Sequence, residues 1–229
     1  MVLKRVVYGV DKNPMAVELA KVALWLHSFT ISAPLSFLDH HLRCGDSVLG
    51  AWVRPTVDAL RARGALFNTG AIARVEQVAG LMAEIEETTD NDIAEVTESK
   101  AKFGVVEEVT EPVAAFFSPL TAERLMGVFD VAPKKAPLAV DDRRRVLADR
   151  LVNEARSRAA RHRFFHWEIG FPNVWSNLLS VTPRGGFDAV IGNPPYVRQE
   201  LLGDEVERAL KVGYTAYDGL ADLYIFFYE

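Results

Sequence analysis

Pro194-Pro195 stops the clearest apolar run in the chain, Phe187-Asp188-Ala189-Val190-Ile191. Proline has no backbone N–H, and it pushes its predecessor toward extended backbone. Two in a row cannot continue a helix or an inner strand, so the run must end there. Arg184-Gly185-Gly186 precedes it as a turn. The spacing predicts a strand over 187–191. A continuous apolar run of this kind marks a strand covered on both faces, as in a parallel sheet. Arg5 to Val10 reads the same way and closes on Asp11. Asn13-Pro14 then supplies an N-cap and a first-turn proline. Met15, Leu19, Val22 and Leu26 follow at helical spacing to about His27. A third strand candidate, His41–Cys44, ends at Gly45-Asp46. Strand, acid, helix, strand predicts an α/β fold.

The stretch from about 54 to 180 has another character. Ile72, Val75, Ala79, Met82 and Ile85 share one helix face, and the acid-rich segment Glu84–Glu98 is read as continuing it. Pro112, Pro119, Pro133 and Pro137 are read as punctuation. From Asp141 to Arg163 eight arginines face four acids, which reads as a solvated helix with i,i+4 ion pairs rather than a phosphate-tracking face. The expected division is a first core part at 1–53, a mostly helical insertion at 54–180 and a second core part at 181–229. Leu220–Glu229 is read as the start of a helix.

Composition closes several alternatives. Apolar residues make up 49% and charged residues 25%, which excludes disorder as the main state. No apolar run approaches the ~20 residues that span a bilayer, so no membrane partner is expected. Cys44 is the sole cysteine, which excludes an intramolecular disulfide and a cysteine zinc site and fits a reducing cytoplasm. A net charge of −5 argues against nucleic-acid binding across the whole surface, so any such contact is expected from a local patch or from a part of the protein outside this chain. His40-His41 and the His162/His166 pair have no third ligand, so no metal is assigned. Phe164, Phe165 and Trp167 read as core.

Asp11, Asp46 and Asn193-Pro194-Pro195-Tyr196 each stand at the end of an apolar run. In open α/β sheets the ligand crevice lies beyond the carboxyl ends of the strands. If the three runs are neighbouring parallel strands, all three signals line one crevice. A carboxylate at Asp11 suits a ribose, and one at Asp46 suits an amino group. The plainer readings are a helix-start acid and a turn aspartate. The Asn193 carboxamide and the proline carbonyls form a rigid acceptor pair aimed at an –NH₂ group. Tyr196 offers a face on which a base can stack. An exocyclic amine held by two acceptors directs its lone pair at an electrophile without a strong base.

Val7-Tyr8-Gly9-Val10-Asp11-Lys12-Asn13-Pro14, Arg43-Cys44-Gly45-Asp46-Ser47-Val48-Leu49-Gly50 and Phe187 to Tyr196 together resemble the adenine-specific DNA methyltransferases. They are most similar to the type IIG restriction–modification and phage-defence enzymes. His166-Trp167-Glu168-Ile169-Gly170-Phe171-Pro172 and Ala221-Asp222-Leu223-Tyr224 resemble that group too. The resemblance implies a Rossmann-like domain that uses S-adenosylmethionine. Asp11 would bind the cofactor ribose and Asp46 its adenine amine. Asn193 and the Pro194 carbonyl, stiffened by Pro195, would hold the N6 amine of a DNA adenine, with Tyr196 stacked on the flipped base. Relatives carry a glycine-rich loop before the first matched strand, and later strands and a target-recognition domain after the last. The expectation is therefore an internal piece of a larger polypeptide, poorly stable or inactive alone. Gly170 departs from relatives that often carry an acid there. The alternatives are methylation of RNA adenine or protein glutamine, or a non-catalytic truncated scaffold.

Overall fold

The computed structural model describes residues 3–28, 37–62, 69–126, 153–154, 156–198, 201–218 and 222–228. A short helix α1 (Leu3–Val6) leads into strand β1 (Gly9–Asp11). The run Arg5–Val10 is thus helix at its start and strand only at its end. Helix α2 (Pro14–Ser28) follows, then strand β2 (Leu42–Cys44), parallel to β1 with Gly9 opposite Leu42 and Asp11 opposite Cys44. This β-α-β unit is an α/β element. At its start Met15 N–H donates to Asn13 Oδ1 at 3.0 Å, the cap the sequence predicts. The face of α2 that is buried is not the one on which Met15, Leu19, Val22 and Leu26 recur. Val17, with Ala20 and Leu24, packs against Leu38 and Leu42. Met15, Leu19 and Leu26 are 60–63% exposed. The helix is apolar on two sides, so periodicity alone cannot choose between them.

Helix α3 (Val53–Ala62) begins a helical layer that continues with α4 (Gly70–Glu87) and α5 (Ile93–Met126). Ile72, Val75, Met82 and Ile85 are fully buried along α4, against Phe103, Val106, Val113 and Phe117 of α5. The acid-rich segment breaks rather than continues the helix. Asp90 takes φ 55°, and its Oδ2 accepts the Phe37 N–H at 3.0 Å. Asp92 Oδ1 accepts the Glu95 N–H at 2.9 Å and caps α5. Pro112 and Pro119 lie inside α5 and do not punctuate it. Thr110, Ser118 and Thr121 hydroxyls bond to the carbonyls of Val106, Ala114 and Phe117 in the same turns. Val113 and Phe117, buried in the core, hold the helix against the loss of two ladder bonds. Pro133, Pro137 and most of the arginine-rich segment lie outside the described residues; 156–162 are helical.

After them come a single turn α6 (Trp167–Gly170), an antiparallel pair β3 (Trp175–Ser176) and β4 (Arg184–Gly185), helix α7 (Asp204–Gly213) and a 3-10 turn at Leu223–Phe227. That last turn stands where a helix start is predicted.

The predicted strand 187–191 does not form. Val190 is 77% and Ile191 97% exposed. β-structure needs a ladder partner, and β1 pairs only with β2 among the described residues. Phe187 is instead an anchor, its ring 5.3 Å from both Tyr8 and Trp175. Among the described residues no helix is long and apolar enough to cross a membrane.

Candidate cofactor and target-amine site

The parallel register brings Asp11 and Asp46 to the same end of β1 and β2. Gly45 N–H bonds to the Asp11 carbonyl at 3.0 Å and extends the ladder one step past Cys44. Asp11 is exposed, and its Oδ1 accepts the Asn13 N–H at 2.7 Å. Asp46 is more enclosed, with its side chain 15% exposed. Its Oδ1 accepts the Val48 and Leu49 N–H groups, both at 3.0 Å, and its Oδ2 meets Lys12 Nζ at 2.8 Å. A carboxylate has about four lone-pair positions. Three of those on Asp46 are used, so one amine donor can still be taken without breaking the turn.

A second stretch of chain, 163–168, runs beside residues 46–53 and fixes them. Asp46 N–H donates to the Arg163 carbonyl at 2.7 Å, and Phe165 N–H to the Leu49 carbonyl at 3.0 Å. Trp167 Nε1 donates to the Ser47 carbonyl at 3.0 Å. Ala51 N–H donates to His166 Nδ1 at 3.0 Å, and Val53 N–H to Glu168 Oε2 at 2.5 Å. Val53 opens α3, so Glu168 caps that helix from 115 residues away. Burial holds the His166 pKa down at about 4, and burial raises that of Glu168. Phe165 is seated among three glycines. A Cβ on Gly45 or Gly170 would stand 2.7 or 2.5 Å from its side chain, and one on Gly50 would stand 2.0 Å from its carbonyl oxygen. That contact accounts for glycine at position 170. Phe165 is core as expected, but sequence reasoning missed the hydrogen-bonding roles of Arg163, His166 and Glu168. The resemblance over His166–Pro172 was the signal available.

Asn193 and Pro195 are exposed, Pro194 is half-buried, and Tyr196 is 84% exposed. The two proline carbonyls are not equivalent. Pro195 accepts the Val197 N–H at 2.9 Å, whereas Pro194 accepts no hydrogen bond from the described residues. The Asn193 carboxamide likewise makes no hydrogen bond to the described residues. The Tyr196 ring lies 5.9 Å from Tyr224. Among the described residues no hydrogen bond or ring contact joins Asn193–Tyr196 to Asp11 or Asp46. Both flanks of the segment are nonetheless anchored near the acids. Phe187 packs on Tyr8, three residues before Asp11. Leu223 N–H bonds to the Val197 carbonyl at 3.0 Å, and Phe226 of the same 3-10 turn packs with Val48, two residues after Asp46. Tyr214 hydroxyl donates to the Val48 carbonyl at 2.6 Å.

The chain is similar to the Type II methyltransferase M.BstVI of Geobacillus stearothermophilus, with 51% identity over 43 residues. The match covers 19% of this chain and 8% of that relative. No solved structure matches. The model of the Eco57I restriction-modification methylases matches residues 5–229, nearly the whole chain that holds these strand ends and the Asn-Pro-Pro-Tyr segment. The chain belongs to the Eco57I restriction-modification methylase family.

Proposed function

We propose that this chain forms part of a Rossmann-like, S-adenosylmethionine-dependent DNA methyltransferase that methylates the N6 amine of adenine, within a larger restriction–modification or phage-defence polypeptide. The observation that carries the reading is the pair Asp11 and Asp46 at the carboxyl ends of adjacent parallel strands, the crevice position of an α/β sheet. Asp11 presents its second carboxylate oxygen to ribose hydroxyls. Asp46 takes the cofactor's exocyclic amine on Oδ2. The bound cofactor supplies an electrophilic methyl carbon on a sulfonium. Asn193 Oδ1 and the Pro194 carbonyl, both without hydrogen bonds in the described chain, accept the two hydrogens of the target amine. Held so, the nitrogen lone pair points away from the adenine ring. Bound S-adenosylmethionine would supply the methyl group to that nitrogen, and the amine proton would pass to solvent. Exposed Tyr196 stacks on the flipped base.

Labelled methyl transfer by the full-length parent polypeptide to DNA, RNA and protein, assayed side by side, tests the reading. The expected result is label on DNA adenine, lost in Asn193→Ala. Asn193 is exposed, so the variant keeps the fold. Undiminished transfer by Asn193→Ala removes that residue's role, and label on RNA or protein moves the substrate. Cys44, the sole cysteine, stands opposite Asp11 and is exposed. Saturating S-adenosylmethionine should therefore slow its alkylation by iodoacetamide.

A further inference from the structure

We propose that Arg163 is a positioning residue that clamps the two acid-bearing strand ends to each other. The proposal rests on the reading of Asp11 and Asp46 as the cofactor pair. Arg163 follows the helical residues 156–162, with its N–H bonded to the Ala159 carbonyl at 2.8 Å. Its φ is 54°, in the left-handed region that glycine adopts freely and other residues adopt at a cost. Glycine is the usual residue at such a helix end. Arginine here does two things that glycine cannot do together. Its carbonyl accepts the Asp46 N–H at 2.7 Å. Its Nη1 donates to the Lys12 carbonyl at 2.8 Å and lies 3.4 Å from Cys44 Sγ. One residue therefore touches the position after Asp11, the position opposite Asp11 in the ladder, and Asp46 itself.

The clamp answers a weakness of the sheet. β1 and β2 pair over three residues each. A pair so short is marginal alone, yet the proposed site needs the two carboxylates at a fixed separation. The Lys12–Asp46 ion pair does not supply that rigidity, because it joins two side chains and leaves the backbone of the two strand ends free to shift. The Arg163 contacts run to backbone on both sides, and the left-handed conformation presents carbonyl and guanidinium to the two strand ends at once.

Arg163→Gly separates a clamp from a mere helix end. Glycine removes the strained conformation and keeps the carbonyl, so the Tm should stay within about 2 °C of wild type. The Kd for S-adenosylmethionine, read by calorimetric titration of the full-length parent polypeptide, should weaken about tenfold. Arg163→Lys, which keeps one long cationic donor, should recover part of the loss. A wild-type Kd in Arg163→Gly, or a Tm that falls together with the affinity, overturns the proposal. Failure of the cofactor reading shows differently, as no binding by the wild-type parent polypeptide. Amide hydrogen exchange then decides: Gly45 and Asp46 should exchange at least fivefold faster in Arg163→Gly, with α4 unchanged. Equal exchange in the two proteins overturns the clamp whether or not cofactor binds.

Discussion

Acidification from pH 7 to pH 4 should weaken this fold through one imidazole, that of His166. The ring is 3% exposed. Its Nδ1 accepts the Ala51 N–H and its Nε2 faces the Ser118 hydroxyl at 3.1 Å, so the neutral Nε2–H tautomer satisfies both nitrogens. A second proton must go to Nδ1, where it would face another donor. Burial lowers the pKa from 6.5 to about 4. In the unfolded chain the ring titrates near its ordinary value, so between these limits the unfolded state binds more protons than the folded one. Stability therefore rises with pH across this window. His166 contributes fully above about pH 6.5, and the contribution fades as the pH falls toward 4. At about 1.4 kcal/mol for each pKa unit, the fall amounts to about 3 kcal/mol. The assay is urea unfolding followed by tryptophan fluorescence at steps from pH 7.5 to 4.5, on wild type and His166→Asn. Asparagine keeps an acceptor for Ala51 and does not titrate. The carboxylates and other histidines are common to both proteins and cancel in the difference. That difference should shrink by about 2–3 kcal/mol as the pH falls. Parallel pH curves for the two proteins would refute the argument.

Glu168 and the glycines around Phe165 give two further expectations. Glu168→Gln keeps the oxygen that caps Val53 and removes a buried charge, so its unfolding free energy at pH 7 should equal or exceed that of wild type. Glu168→Ala strands the Val53 N–H and should lose about 1–3 kcal/mol in the same urea assay. Gly50→Ala drives a Cβ to 2.0 Å from the Phe165 carbonyl oxygen, a backbone atom that cannot rotate away, and should cost about 3 kcal/mol. Gly80→Ala in α4, with nothing within 4 Å, should instead raise the Tm, consistent with a gain of about 0.5–1 kcal/mol.

What was legible in the sequence was local. The Asn13-Pro14 cap and the buried face of α4 follow from side chains within a turn or two of one another, and Asp11 and Asp46 each mark the end of a short local run. What was not legible depended on partners far along the chain. Ala189-Val190-Ile191 has the composition of an inner strand, yet composition cannot supply a ladder neighbour. Helical spacing on α2 does not say which face is covered, because both are apolar and Leu38 and Leu42 decide it. The acids at 90 and 92 looked like helix surface, but Asp90 bonds the Phe37 N–H, 53 residues away, and Asp92 caps the next helix. The proline pair was read as the stop of a strand that does not form. Only the structure separates its carbonyls, leaving that of Pro194 without a hydrogen bond from the described residues and giving that of Pro195 to Val197.

The two acids owe their placement to residues that carry none of the proposed chemistry. Residues 46–53 exchange hydrogen bonds with Arg163, Phe165, His166, Trp167 and Glu168. The same stretch reaches α5 through Ser118 and α3 through Val53. The helical layer is therefore tied to the strand ends by hydrogen bonds as well as by apolar packing. Hydrogen bonds specify position where apolar contact alone tolerates sliding. Loss of one such bond should shift the carboxylates before it unfolds the chain. Substitutions in 163–168 that spare the Tm are thus expected to appear first in cofactor affinity, while those at Ile72, Val75 or Phe117, which lie in the core, should appear first in Tm. A substitution such as Phe117→Ala that weakened affinity with no change in Tm would contradict this division.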